Sequence, residues 1–133
     1  MDFRQTYCFD DLLLVPKYSD IKSRSEVDLS SSLSTDINLG LPVMSSPMDT
    51  VTESAMAVAM QKAGGLGIIH RYNSVGQQAE LVRGAITSGA KYVAAAIGVT
   101  GDYEERACTL YDAGARIICL DIAHGHHAMM KSA

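Results

Sequence analysis

The chain has no excess of positive charge. Its 133 residues hold 11 Lys and Arg against 15 Asp and Glu, a net charge of -4. No basic field is available to hold nucleic acid. Long hydrophobic runs are missing too. The longest, Ala55–Met60 and Tyr92–Val99, fall far below the roughly 20 residues that span a bilayer. No membrane partner is expected. The opening Met1-Asp2-Phe3-Arg4-Gln5 has no basic segment leading into an apolar core, so no signal peptide is visible. Cysteine is scarce and odd in number: Cys8, Cys108 and Cys119 at irregular spacing. Reduced thiols in a cytoplasmic protein explain this better than a disulfide framework. Neither a G-x-S-x-G elbow nor a C-x-x-C pair occurs, which removes two common nucleophile and redox motifs.

What is present is a repeat. Gly64, Gly89 and Gly114 recur every 25 residues, each in a small-residue turn ahead of a short apolar run: Leu66–Ile69, Tyr92–Ile97 and Ile117–Ile122. Glycine takes the left-handed C-cap conformation without steric penalty, so each marks a helix end. Between them, Val75, Ala79, Val82 and Ile86, then Tyr103, Ala107, Leu110 and Tyr111, keep a helical period. Continuous apolar strands alternating with amphipathic helices predict a parallel α/β sheet. The length and composition, 47% hydrophobic and 20% charged, suit one soluble domain. Residues 1–40 lack this regularity and read as an extended arm, with short strands or turns packed over one end of the domain.

The first strand is predicted near 42–46. Leu41-Pro42-Val43-Met44 is too short for a helix, and Pro47 stops it. Thr52 suits the N-cap of a helix running from Glu53 to Ala63. Ser45–Thr50, His70–Asn73, Gly98–Asp102 and Asp121–His127 would then meet at the carboxyl ends of parallel strands, where such folds build sites. Ser45 and Ser46 can donate to phosphate or sugar oxygens, or satisfy their own turn. Asp49 can orient that turn as an Asx hydrogen bond. Arg71 can meet a phosphate or a surface carboxylate. Asp121 ends a buried strand, where a carboxylate needs a partner or solvent. A ribose diol would supply one; capping the next turn is the plainer alternative. His124, His126 and His127 suggest metal, but the further ligands of an amidohydrolase-type centre are not found, so no metal site is expected. Gly64-Gly65-Leu66-Gly67 precedes a strand where a phosphate loop should precede a helix.

Ser45-Ser46-Pro47-Met48-Asp49-Thr50-Val51-Thr52-Glu53 resembles the signature after the first barrel strand of the IMP dehydrogenase / GMP reductase family. Phe9–Pro16 (FDDLLLVP) and Glu26–Ser30 resemble its N-terminal segment, and Gly64–His70 (GGLGIIH), Ala96–Gly98 and Leu120–His126 (LDIAHGH) continue the likeness. The resemblance implies the N-terminal part of a (β/α)8 TIM barrel, about four of its eight βα units. Residues 1–133 would form a single partial catalytic domain, with an arm at 1–40 and the first units at 41–133. The implied reaction is oxidation of IMP to XMP with NAD and water, in guanine nucleotide biosynthesis. In the family a cysteine attacks purine C2, hydride passes to NAD, and water hydrolyses the adduct.

By the same resemblance Ser46 and Met48 contact the purine nucleotide, and Asp121, Ile122 and Ala123 face the nicotinamide cofactor. IMP dehydrogenase is preferred, because GMP reductases usually have an Asn-Met turn at Ser46-Pro47-Met48. The direct run from the second helix into the third strand omits the family's CBS insertion and points instead to GMP reductase, which uses NADP. The family's catalytic cysteine loop, potassium site, phosphate-binding glycines and flap are expected beyond residue 133. No catalytic residue is therefore assigned, and turnover by these residues alone is not expected. The expected partner is another copy of the chain or a C-terminal half of the barrel. A non-catalytic half-barrel acting in binding or assembly is a second reading. A metal-dependent hydrolase is a third.

Overall fold

The computed structural model describes residues 3–133, so the first two residues of the predicted arm lie outside it. An antiparallel hairpin, β1 (Ser31–Ser32) and β2 (Asn38–Leu39), precedes a parallel sheet. The sheet follows chain order, β3 (Met44–Ser45), β4 (Leu66–Ile69), β5 (Ala94–Ile97) and β6 (Ile117–Leu120). Helices α1 (Ser54–Lys62), α2 (Val75–Thr87) and α3 (Tyr103–Ala113) return the chain between them, and a short α4 (Met129–Ser132) follows β6. Residues 88–93 alone join α2 to β5. The expected parallel α/β sheet is present, with every strand shorter than predicted except β4.

The glycine repeat is a repeated helix stop. Gly64, Gly89 and Gly114 have φ of 92, 94 and 112°. At each, the residue after the glycine donates its N–H five residues back: Gly65 to Met60, Ala90 to Ala85 and Ala115 to Leu110. The glycine itself donates three back, to Gln61, Ile86 and Tyr111. These paired bonds satisfy carbonyls that a helix end otherwise leaves open. The chain thus turns back into the sheet at the same point of each unit.

The core lies between the sheet and the helices. Ile69, Val82, Ala85, Val93, Ala95 and Leu110 are fully buried in it. Small residues set the layer spacing. A Cβ on Gly67 would lie 2.5 Å from the Ala57 Cα, so α1 rests directly on β4. A smaller cluster fills the other face of the sheet, where Leu39 packs on Leu66 and Ala94 at the strands' amino ends. The hairpin therefore closes that end.

Two expectations are corrected here. The arm does not pack over the domain before the hairpin: Phe9, Leu13 and Leu14 are 98, 95 and 98% exposed. Residues 9–11 and 24–26 form single 3-10 turns held by local bonds such as Asp11 N–H to Cys8 C=O. Isolated turns of this kind bury no apolar face, so they have nothing to dock with. Thr52 is also not an N-cap. Glu53 holds that position without a side-chain capping bond, and the Thr52 hydroxyl is used elsewhere.

The close approach at Gly67 yields a test. Gly67→Ala is expected to lower stability by about 1–3 kcal/mol through overpacking. At Gly76, in α2, an added Cβ would meet nothing within 4 Å; Gly76→Ala should raise stability by about 0.5 kcal/mol. Urea unfolding of the two variants measures both, and equal midpoints would contradict the packing described.

Candidate functional site

The turn after β3 is built around one buried hydroxyl. Thr52 is fully buried. Its Oγ1 donates to the Ser46 carbonyl at 2.7 Å and lies 2.8 Å from Ser45 Oγ. The Met48 carbonyl accepts from Val51 N–H at 2.9 Å and Thr52 N–H at 3.0 Å. These bonds close the turn without Asp49, whose exposed carboxylate has no hydrogen-bond partner among the described residues, so the Asx reading is not realised. Ser45 is engaged by Thr52. Ser46 Oγ has no partner among the described residues, and Met48 is half exposed. Both are presented outward by a turn fixed from beneath.

After β4, His70 is buried and its backbone N–H donates to the Thr52 carbonyl at 3.3 Å. Its Nδ1 accepts the Tyr72 N–H at 3.1 Å. The proton of the neutral ring is then on Nε2, which faces Glu53 Oε1 at 3.4 Å. This imidazole ties β4 to the start of α1.

Arg71 and Asp121 meet across the ends of β4 and β6. Arg71 Nε lies 3.3 Å from Asp121 Oδ2, and a terminal nitrogen donates to the Asp121 carbonyl at 3.1 Å. Asp121 N–H is held by the Ile97 carbonyl at 2.9 Å. The pair is about one-third exposed, so its strength is that of a partly screened contact. Arg71 also lies over the Tyr72 ring, 5.6 Å from its centre. β6 is only partly buried, not the buried strand expected from its apolar run, with Ile118 39% exposed. The carboxylate at its end has a cation for a partner, and its other oxygen has no hydrogen-bond partner among the described residues.

Beside this pair is a cleft of about 330 Å³, with Arg71, Val99, Ile122, Ala123 and His124 among its walls. Apolar walls with one cation suit a flat ring attached to a phosphate-bearing chain. Asp121, Ile122 and Ala123 are therefore brought together with Arg71. Ser46 and Met48 stand at the opposite edge of the sheet, on the β3 side. His124, His126 and His127 are exposed, with ring centres 6.4 and 6.5 Å apart from His124 to each of the others. Among the described residues no three His, Cys, Asp or Glu side chains are grouped to hold a metal. Cys8 and Cys108 are exposed, on the arm and on α3. The Cys119 thiol lies within β6, and burial, with Asp121 nearby, pushes its pKa up. No cysteine stands at the strand ends among the described residues.

Sequence reasoning missed the polar network behind these loops. Arg106 is only 7% exposed and Gln78 is fully buried. Arg106 donates to Asp102 Oδ2 at 2.7 Å, Gln78 Oε1 at 2.8 Å and the Asn73 carbonyl at 3.1 Å. Gln78 Nε2 donates to the Ala96 carbonyl at 2.8 Å. A signal was available, because Arg106 falls on the same helical stripe as Tyr103, Ala107 and Leu110. A cation on a buried stripe needs fixed acceptors.

A family model described as the IMP dehydrogenase / GMP reductase domain matches residues 6–133. Three curated relatives are each named inosine-5'-monophosphate dehydrogenase. That of Nitrosopumilus maritimus is 49% identical over 102 residues, covering 77% of this chain and 21% of the relative. That of Bacillus subtilis is 54% identical over 87 residues, 60% of this chain and 18% of the relative. That of Rhodopirellula baltica is 57% identical over 74 residues, 56% and 14% respectively. The chain spans about a fifth or less of the length of these relatives.

Hydrogen bonding to Arg106 holds the Asp102 carboxyl below its usual value of 3.8. A depressed folded-state pKa gives stability that is fully present above the unfolded pKa and is lost as pH falls through the folded value. From about pH 5 to pH 2, wild type should therefore lose more stability than Asp102→Asn, and the gap between them should narrow. Urea midpoints across this range test it; two curves falling in parallel would mean that the carboxylate contributes nothing through Arg106.

Proposed function

The chain belongs to the IMP dehydrogenase / GMP reductase family, and we propose that it supplies the first βα units of the catalytic barrel of an IMP dehydrogenase. The observation that carries this reading is one of placement. The Ser45–Thr50 turn and the Asp121–Ala123 segment both leave the carboxyl ends of strands in one parallel sheet. In a (β/α)8 barrel that end holds the active site. The relatives' names and the roughly 50% identity support IMP dehydrogenase.

In this reading Ser46 and Met48 contact IMP. The free Ser46 hydroxyl can donate to a ribose or phosphate oxygen, and Met48 offers a soft apolar surface to the purine. Asp121, Ile122 and Ala123 meet NAD, the cofactor of the proposed reaction. The cleft that Ile122 and Ala123 share with Arg71, with Asp121 beside it, fits the nicotinamide end: Ile122 and Val99 can flank the ring, Arg71 can neutralise a phosphate, and the open Asp121 oxygen can accept from a ribose hydroxyl. The chemistry NAD supplies when bound is hydride acceptance from purine C2. The residues of this chain bind, orient and exclude water; the nucleophilic cysteine is proposed to lie in another part of the barrel. Cys119, held in a strand with its thiol pKa raised, and the remote Cys8 and Cys108 do not supply it.

GMP reductase, which would use NADPH, is the second reading. It is favoured by the direct α2–β5 connection through residues 88–93, which leaves one domain of arm and βα units without a regulatory insertion.

The 133 residues alone are expected to turn over neither IMP with NAD nor GMP with NADPH. Supplying the remaining βα units by co-expression should produce NADH from IMP, and Asp121→Ala should reduce the rate by about tenfold or more. Absorbance of the reduced cofactor, followed with each substrate pair, measures both. GMP-dependent loss of NADPH would select the second reading, and turnover by the purified 133-residue chain would show that the nucleophile is misplaced.

A further inference from the structure

Arg106 and Gln78 stand on the outer helices, yet every acceptor they use belongs to a strand end, a strand-end loop or each other. Gln78 Nε2 reaches the carbonyls of Ala96 and Ile69, at 2.8 and 3.4 Å. Arg106 reaches the Asn73 carbonyl, the Asp102 carboxylate and Gln78 itself. Arg71 therefore lies between two pinned carbonyls, Ile69 on one side and Asn73 on the other. The Gly98–Thr100 wall of the cleft lies between Ala96 and Asp102, which are pinned in the same way. A buried guanidinium with matched acceptors resists any shift of either loop, because a shift leaves a charged donor unpaired. Among the described residues neither side chain hydrogen-bonds the turn after β3.

We propose that Arg106, acting through Gln78 and Asn73, is a positioning residue for the cleft: it holds the loop after β4 where Arg71 meets Asp121. The inference rests on the reading of that cleft as the NAD-binding end of the site. Arg106 does not contact the ligand. Its role is to fix the distance between the walls, so that Arg71 neither folds over the cleft nor leaves the Asp121 carboxylate unpaired. Lysine cannot replace it, since an ammonium on a flexible stem does not match the planar set of acceptors.

The test uses the 133-residue chain labelled with nitrogen-15. The Nε–H resonance of Arg71, assigned through Arg71→Lys, reports the bond to Asp121. In Arg106→Met the amide spectrum should remain that of a folded protein. The Arg71 Nε–H should move to its solvent position and exchange about tenfold faster. NAD binding, followed by titration, should weaken about tenfold, while IMP binding at the β3 turn changes less than about twofold. Arg106→Lys should restore neither the Arg71 signal nor NAD affinity. A folded Arg106→Met with an unchanged Arg71 resonance overturns the proposal. If that variant does not fold, Gln78→Met, which leaves Arg106 bound to Asp102 and Asn73, decides by the same resonance. If the wild type takes up no NAD, the cofactor reading fails, and the Arg71 resonance still decides the positioning claim.

Discussion

Parallel pairing is the constraint from which the rest follows. A strand cannot lie parallel to its predecessor unless the chain first crosses back over the sheet, and here each crossing is a helix. All four strands consequently finish at the same end of the sheet. Residues far apart in sequence, such as Arg71 and Asp121, become neighbours there with no direct signal in the chain between them. The crossings must also be of even height, which small residues secure: Gly67 admits α1 onto β4, and the left-handed glycines stop each helix within one residue of the same place.

This explains why the fold was legible and the site was not. The 25-residue glycine spacing, the apolar runs and the helical stripes are local patterns, and local geometry obeys them. Gly64, Gly89 and Gly114 take the expected conformation because no other residue does so cheaply. Strand-end residues could be placed at one end by the same logic. Their partners could not. Whether Thr52 caps a helix or braces a turn depends on where Ser46 falls, six residues earlier in a bend that propensity does not describe. Glu53 takes over the cap position because the Thr52 hydroxyl has a better acceptor in a buried site.

Arg71 illustrates the same limit for charge. From sequence alone it was equally suited to phosphate or to a carboxylate, and the structure pairs it with Asp121, fifty positions away. The pairing changes what the Asp121 site offers: one carboxylate oxygen rather than two, with a cation alongside. The arm shows the opposite failure. Phe9, Leu12, Leu13 and Leu14 read as residues that must be covered, but the 3-10 turn beside them gives them no surface of this chain to cover them. Hydrophobic composition states a need for burial and does not say where it is met.

The sheet order has a consequence for how the molecule is made. Each strand pairs with the one synthesised just before it, and each helix packs chiefly against its immediate neighbours in sequence. Within the parallel sheet no strand has to wait for a distant one before it pairs. As the chain leaves the ribosome, β3 and α1 can receive β4, and β4 with α2 can receive β5, so the layers accrete from the amino-terminal side in order of translation. Leu39, already turned under the amino ends by its hairpin, waits beneath as each new strand is added.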